Sequence, residues 1–229
     1  MEPKNFYDDI YKKGGDKTMR PFKVYQDWFK LFGKVKSGGR LADVACGTGM
    51  FLKAASDAGL ETWGLDISDE AVKVSKQVSP KSNVVQGVGE SLPWDSNFFD
   101  YVTCLGSLEH FSDSEKGLAE LVRIGKVDAK YIIILPNENY LLWRLGIVKK
   151  GTNQREFEIL KTLDGWKNFL ENGGLKINKV YQDKYPATEV MVFENKNPKK
   201  IIRRLIYKFI WLVMPLKSTY QFVFVLEKK

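Results

Sequence analysis

The sequence predicts an α/β fold, a three-layer sandwich with helices on both faces of a mostly parallel sheet. Two observations carry this. From Leu41 to Leu135 short apolar runs alternate with single amphipathic segments, and strands joined by single helices run parallel through right-handed crossovers. A glycine-rich bend follows the first apolar run directly, where an open sheet of this kind leaves a ligand crevice. At 229 residues, 44% hydrophobic and 28% charged, the chain suits one globular domain. We therefore read 1–229 as a single domain: an N-terminal lid and helix (1–36), a ligand-binding core (40–135), and a half that faces the second substrate (136–229).

The elements follow in order. A helix is expected from Pro21 to Lys34, with Phe22, Tyr25, Phe29 and Phe32 on one face and Pro21 at a first helical position. Leu41–Ala45 is the first strand, Gly49–Ala58 a helix closed by Gly59, and Glu61–Leu65 the second strand. Ser68 is an N-cap for a helix over Asp69–Gln77. Asn83–Gln86 and Phe99–Leu105 are the third and fourth strands. Ser112 and Glu115 form a capping box for a helix to Ile124, and Tyr131–Leu135 is the fifth strand. Beyond Pro136 the rhythm changes. A mixed segment leads to a helix over Leu163–Glu171, and Leu175–Tyr181 and Tyr220–Leu226 read as two further strands around an insertion.

Charge is distributed unevenly. From Lys196 onward stand nine basic residues against one acid, Glu227, so the whole formal charge of +8 lies there and the first 195 residues are neutral. A local basic tail argues against a nucleic-acid coat and for at most one discrete anionic partner. Its Lys199, Lys200, Arg203, Arg204 and Lys208 share one helical face, and Ile201, Ile202, Leu205, Ile206, Phe209, Leu212 and Val213 the other. Two readings stay open for this stretch, within an insertion at about 184–217. It is a helix packed over the sheet or the site, or an interfacial helix contacting anionic membrane through about 199–216. The longest apolar run, Phe209–Leu216, is short of the ~20 residues a membrane span needs. Met1-Glu2-Pro3-Lys4-Asn5 has no apolar core, so no signal peptide is expected. The two cysteines, Cys46 and Cys104, form neither a disulfide framework nor a metal-ligand spacing. A cytoplasmic protein, with peripheral membrane contact as the second option, and no metal are the expectations.

The chemistry concentrates in Leu41-Ala42-Asp43-Val44-Ala45-Cys46-Gly47-Thr48-Gly49-Met50-Phe51. A strand runs into small residues and then into a helix, so a ligand can lie against bare backbone and meet the free amides of the helix start. Asp66, at the tip of the second strand, is placed to accept hydrogen bonds from ribose hydroxyls. A dinucleotide fingerprint would want a small residue where Leu52 stands, and it gives Asp43 no role. A carboxylate beside that turn suits a ligand carrying an ammonium.

Asp43-Val44-Ala45-Cys46-Gly47-Thr48-Gly49 resembles the first motif of class I S-adenosylmethionine-dependent methyltransferases, with Ala45 where a first glycine often stands. Gly64-Leu65-Asp66-Ile67-Ser68 is similar to the family's ribose-binding segment. Gln86-Gly87-Val88-Gly89-Glu90-Ser91-Leu92-Pro93-Trp94 is similar to its adenine-enclosing one, with Val88 where many relatives have an acid. Phe99 to Phe111 resembles the fourth-strand motif, and Phe6-Tyr7-Asp8-Asp9-Ile10-Tyr11 an N-terminal lid. The resemblance, to the family's small-molecule, type 11 group, covers about residues 5–135 well and 160–180 loosely.

It implies a Rossmann-like, seven-stranded sheet, parallel except for the last strand, which inserts antiparallel beside the fifth. It implies S-adenosylmethionine as cofactor, with S-adenosylhomocysteine as product. The implied cofactor contacts are Asp43, Ala45, Cys46, Gly47, Thr48, Gly49, Asp66, Ile67, Gly89, Glu90, Leu105 and Gly106; Glu90 or the Gly89 backbone would meet the adenine amino group. Strand order makes the first and fourth strands neighbours, which would bring Cys46 and Cys104 close together. His110 is the single histidine, a general base on one reading and a loop-fixing residue on the other. Some relatives place a metal-binding Glu-x-x-Glu-His here, but Gly106 stands where its first acid belongs.

The methyl acceptor is expected to be a small molecule, a lipid or a glycan; no Asn-Pro-Pro-Tyr motif of base methylation occurs. Its site falls to the Pro136–Tyr140 loop, Trp143, the basic insertion, Tyr7 and Tyr11. The alternative is a catalytically silent cofactor-binding module that acts through a partner or a membrane.

Overall fold

The computed structural model describes residues 3–13, 20–147, 158–183, 209 and 213–229. Its strands are β1 (Arg40–Val44), β2 (Glu61–Asp66), β3 (Asn83–Gln86), β4 (Phe99–Leu105), β5 (Gly125–Pro136), β6 (Leu175–Gln182) and β7 (Gln221–Lys228). They form one seven-stranded sheet in the order β3-β2-β1-β4-β5-β7-β6. β1 to β5 pair in parallel, and β7 runs antiparallel to both β5 and β6. The last strand is thus the reversed one, seated beside the fifth.

Side-chain alternation assigns the two faces. Leu41, Tyr101, Ile132, Ile134 and Val223 point to one side. There α2 (Phe22–Phe29), α3 (Met50–Asp57) and α4 (Asp69–Val78) cover them with Val24, Trp28, Phe29, Phe51, Leu52 and Val72. Ala42, Val44, Val102, Cys104, Tyr131, Ile133, Phe222 and Phe224 point to the other. There α5 (Ser114–Ile124) and α7 (Leu163–Asn172) bring Leu118, Leu121, Trp166 and Leu170. Burial on both faces is why Tyr131–Leu135 reads as an unbroken apolar run rather than an alternating one.

Several boundaries differ from the sequence reading, each for a local reason. The helix from Pro21 stops at Phe29 and tightens into a 3-10 turn, Lys30–Phe32, before Gly33 at φ 71°. Ser68 does cap α4, accepting from the Ala71 amide. Ser112 does not cap α5: Asp113 takes that place, accepting from the Lys116 amide at 2.9 Å. β5 begins at Gly125, directly after α5, well before Tyr131. Its first half carries Lys126, Asp128 and Lys130 and shows no apolar run.

An unexpected helix, α1 (Pro3–Lys12), occupies the segment read only as a lid, and a short α6 (Leu141–Arg144) interrupts the mixed region. Most of the basic insertion, and with it the amphipathic reading of 199–216, lies outside the described residues. No helix among the described residues is long and apolar enough to cross a membrane.

Candidate functional site

β1 and β4 are neighbours, yet the chain leaves β1 toward β2 on one side and β4 toward β5 on the other. The loops after β1 and β4 therefore diverge at the carboxyl edge and leave a crevice between them. The loop after β1 bends through three left-handed residues, Ala45 (φ 59°), Gly47 (φ 53°) and Gly49 (φ 76°). Two of them have no side chain, so backbone lines the crevice. Ala45 occupies a conformation that costs an L-residue about 1–2 kcal/mol, part of which glycine would return as unfolded-state entropy. Ala45→Gly is therefore expected to raise Tm by about 1–3 °C, a change that thermal unfolding resolves.

Two acids flank this loop. Asp43 is 2% exposed and accepts a hydrogen bond from the Thr103 hydroxyl at 2.6 Å. The cross-strand register Asp43↔Thr103 makes that bond possible. Burial first, and the nearby Asp66 carboxylate in addition, push its carboxyl up to about 7. Asp66 is buried too, and burial raises it, while backbone amides oppose the shift. Its Oδ2 accepts from Gly47 at 2.8 Å and its Oδ1 from Ser68 at 3.0 Å. A carboxylate has about four lone-pair sites, so both oxygens keep acceptor capacity, enough for a vicinal diol. Ile67 contributes backbone: its carbonyl accepts from Gln86 at 3.2 Å, which fixes the turn after β2.

α1 closes over this end of the sheet. Asp8 accepts from the Ser68 hydroxyl and is held down to about 2, chiefly by that bond, while Lys4 bridges to Asp69 at 2.8 Å. Tyr11 thereby lies close enough to Asp66 and Cys46 for both to oppose its ionisation, after burial has already raised it. Thr48 is buried in the loop with its hydroxyl unpartnered. A buried hydroxyl without a partner among the described residues is costly, and it belongs to the loop itself. Bare backbone, two buried acids and an idle hydroxyl fit a ligand that combines a diol with a cation.

The remaining expected residues divide. Gly89 packs so tightly under Phe111 that an added Cβ would stand 2.1 Å from the ring. The Glu90 carboxylate accepts from the Asp113 amide at 3.4 Å, at the start of α5. Leu105 ends β4, and Gly106 follows at φ 73° with its amide on the Ile134 carbonyl at 2.9 Å. Cys46 and Cys104 do not meet. Strand order makes them neighbours, but Cys104 points to the α5 face and Cys46 packs with the α2–α3 face.

Across the crevice lies a polar and aromatic wall that sequence reasoning only partly named. Arg20 binds Asp183 at 2.7 Å and Gln221 at 2.8 Å, with Trp28 under its guanidinium at 4.6 Å. Tyr140, Trp143 and Tyr220 pack ring on ring, with centroids 5.2–5.4 Å apart, beside Leu142 and Met214. Asn137 serves this wall from inside, donating to the carbonyls of Lys217 and Thr219 at 3.0 and 2.7 Å. Glu109 and His110 sit on the 3-10 turn after Gly106, with 3.8 Å between them. Burial lowers His110 to about 4, so it is neutral near pH 7.

Residues 42–133 match the methyltransferase domain family. Over 96 residues the chain is 36% identical to the demethylmenaquinone methyltransferase of Renibacterium salmoninarum, a match spanning 42% of this chain and 40% of that one. A ubiquinone/menaquinone biosynthesis C-methyltransferase of Burkholderia mallei is 27% identical over 164 residues, 68% of this chain and 63% of that one. The chain thus spans only 40% to 63% of the length of these curated relatives. A chain from the complex between the Haloferax volcanii Trm112 methyltransferase activator and a methyltransferase superposes with a TM-score of 0.70. Its identity is 18%, and the superposition covers 97% of both chains, which shows a shared fold. The motif order along 42–133 and that fold agree: residues 42–133 match a methyltransferase domain, and the chain as a whole shares the fold of that structure.

Proposed function

We propose that the chain transfers the methyl group of S-adenosylmethionine to a small-molecule or lipid-like acceptor, with a phenolic, quinol-type ring as the leading class. One observation carries the reading: two buried carboxylates, Asp43 and Asp66, flank a left-handed loop at the switch point of the sheet. When bound, the sulfonium supplies an already activated methyl group. The chain's own residues align and exclude. Asp66 accepts from the ribose hydroxyls, Asp43 attracts the ammonium, and the backbone of Ala45–Gly49 admits the ligand closely. α1 and Tyr11 shut out water, which strengthens every charge inside. The aromatic wall of Tyr140, Trp143 and Tyr220 supports a flat acceptor, as do the quinone-methylating relatives. Alignment and dehydration supply most of such a barrier reduction.

The direct test is conversion of S-adenosylmethionine to S-adenosylhomocysteine with a panel of reduced quinols, catechols and amines. Acceptor-dependent turnover supports the reading. Tight binding of S-adenosylhomocysteine with no turnover against any acceptor would instead mark a silent cofactor-binding module.

Asp43 offers a separate check. With its carboxyl near 7, about half the molecules carry a proton there at pH 7, and an incoming ammonium favours the charged form. Binding of S-adenosylhomocysteine is expected to release about half a proton at pH 7, more at pH 6 and little at pH 8. Calorimetry in buffers of different ionisation enthalpy measures this. The release should vanish in Asp43→Asn; persistence there would remove Asp43 from the ammonium site.

A further inference from the structure

We propose that Glu109 is the proton acceptor of the transfer, against which a neutral or cationic acceptor molecule sets the O–H or N–H of its nucleophilic atom; this rests on the methyl-transfer reading above. Glu109 is 2% exposed, and its Oε2 has no hydrogen-bond partner among the described residues. A buried carboxyl oxygen left unpaired is costly, and such groups are few enough in folded proteins that each calls for a reason.

Its surroundings supply one. The missing side chain of Gly106 leaves an opening at the carboxyl end of β4. The point where a Cβ would stand is 3.9 Å from Glu109 Oε1 and 3.5 Å from Gln221 Nε2. That opening lies beside the crevice between the β1 and β4 loops and is backed by Tyr220 and the aromatic wall. A hydroxyl or amino group entering there meets the Glu109 carboxylate at Oε1, the group whose other oxygen is the unpartnered one, and one amide donor, Gln221.

The charges facing Glu109 define what fits. His110, on its own turn, is neutral, and Cys104 at the end of β4 is held as a thiol by burial. Glu158, ahead of α7, adds negative potential at Glu109, and Tyr220, ahead of β7, is pushed up to about 12 by burial and so keeps its proton. Arg20 is spent on Asp183 and Gln221. Among the described residues no cation is offered to an incoming anion here. A phosphate or carboxylate next to the reacting atom is repelled, and a phenol, enol or ammonium is welcomed.

Burial first, with Glu158 adding to it, pushes the Glu109 carboxyl up to about 8. A base poised near the working pH is the efficient kind. His110, lowered to about 4, is a poor one, so the role the sequence offered to the histidine passes to its neighbour. In the step itself the acceptor's nucleophilic atom forms its bond to the methyl carbon. The carbon–sulfur bond breaks with its electron pair left on sulfur, and the acceptor's proton goes to the Glu109 carboxylate. Solvent removes that proton when the site reopens.

The test uses the full chain saturated with S-adenosylhomocysteine for spectroscopy and with S-adenosylmethionine for turnover. Infrared difference spectra should show a buried protonated carboxyl band that titrates near pH 8 in the native protein and is missing from Glu109→Gln. With a short-chain naphthoquinol, a catechol and a primary amine as probes, native kcat/KM should rise about tenfold per pH unit and level off near pH 8. Glu109→Gln should lose about 100-fold or more in rate, lose the pH limb, and keep its affinity for S-adenosylhomocysteine within about twofold. Glu109→Asp should recover part of the rate. A glutamine variant that keeps both the native rate and the native pH limb overturns the proposal alone. Native protein that methylates none of the probes ends the transfer reading, and the proposal with it.

Discussion

Gly49→Ala should cost this protein about 2–5 kcal/mol and lower its Tm by roughly 10 °C. Two independent effects add. Gly49 stands at φ 76°, where a side chain is strained on any background. An added Cβ would also lie 2.3 Å from Ser75 Oγ, 3.0 Å from its Cβ and 3.1 Å from its Cα. The last of these is helix backbone in α4, which cannot swing away as a side-chain tip can. The loop, α3 and α4 are locked together at this point, so the alanine must push α4 outward or unwind the start of α3. Against a usual total stability of about 5–15 kcal/mol, that is a large share. Denaturant unfolding of Gly49→Ala beside the same substitution in a Ser75→Ala background separates the two effects. Removing the hydroxyl returns part of the steric cost and none of the backbone strain. A Tm loss below about 2 °C would mean the loop does not hold this left-handed geometry.

That lock also explains which parts of the molecule could be read from sequence. Asp43, Gly47, Gly49 and Asp66 fall within one strand–turn–helix–strand unit, so their mutual placement is fixed by local geometry and shows as spacing. β3 and β4 match their sequence limits at both ends, Asn83–Gln86 and Phe99–Leu105; β4 is a mostly buried run, and β3 a short β-branched pair, Val84-Val85, between polar residues. The first half of β5 was illegible, since its Lys126, Asp128 and Lys130 look like loop. Helix α1 was missed because its placement rests on tertiary bonds: Asp8 to Ser68 and Lys4 to Asp69.

The acceptor wall shows the limit most clearly. Arg20 is 163 positions from Asp183 and 201 from Gln221, and no local pattern announces a pairing at that range. Strand order did suggest that the two thiols meet. It failed because adjacency in a sheet does not settle the face: Cys104 follows the parity of Val102, and Cys46 lies past the end of β1 on the side of Leu41. Glu109 was visible only as a neighbour of His110, and what singles it out is burial with an idle oxygen, which a sequence does not display.

Asp66→Asn should weaken S-adenosylhomocysteine binding by at least about 100-fold while moving Tm by only a few degrees. The two readouts part because the carboxylate does two jobs of unequal weight. For the fold, it accepts from the Gly47 and Ser68 amides. Asparagine keeps one of those bonds and turns its NH2 against the other donor, but it also relieves the burial of a charge that raises Asp66's own proton affinity. Those effects offset within about 1–2 kcal/mol. For the ligand nothing offsets. Hydrogen bonds from ribose hydroxyls to a charged acceptor contribute about 1.5–3 kcal/mol each, and two of them lost amount to at least a hundredfold in affinity. Pairing the variant with a 2′-deoxy ligand isolates the contact. The native protein should lose affinity for the deoxy ligand, and Asp66→Asn should scarcely distinguish the two, since the hydroxyl then has no carboxylate to lose. Equal discrimination by both proteins would place the ribose elsewhere and leave Asp66 a turn-forming residue only.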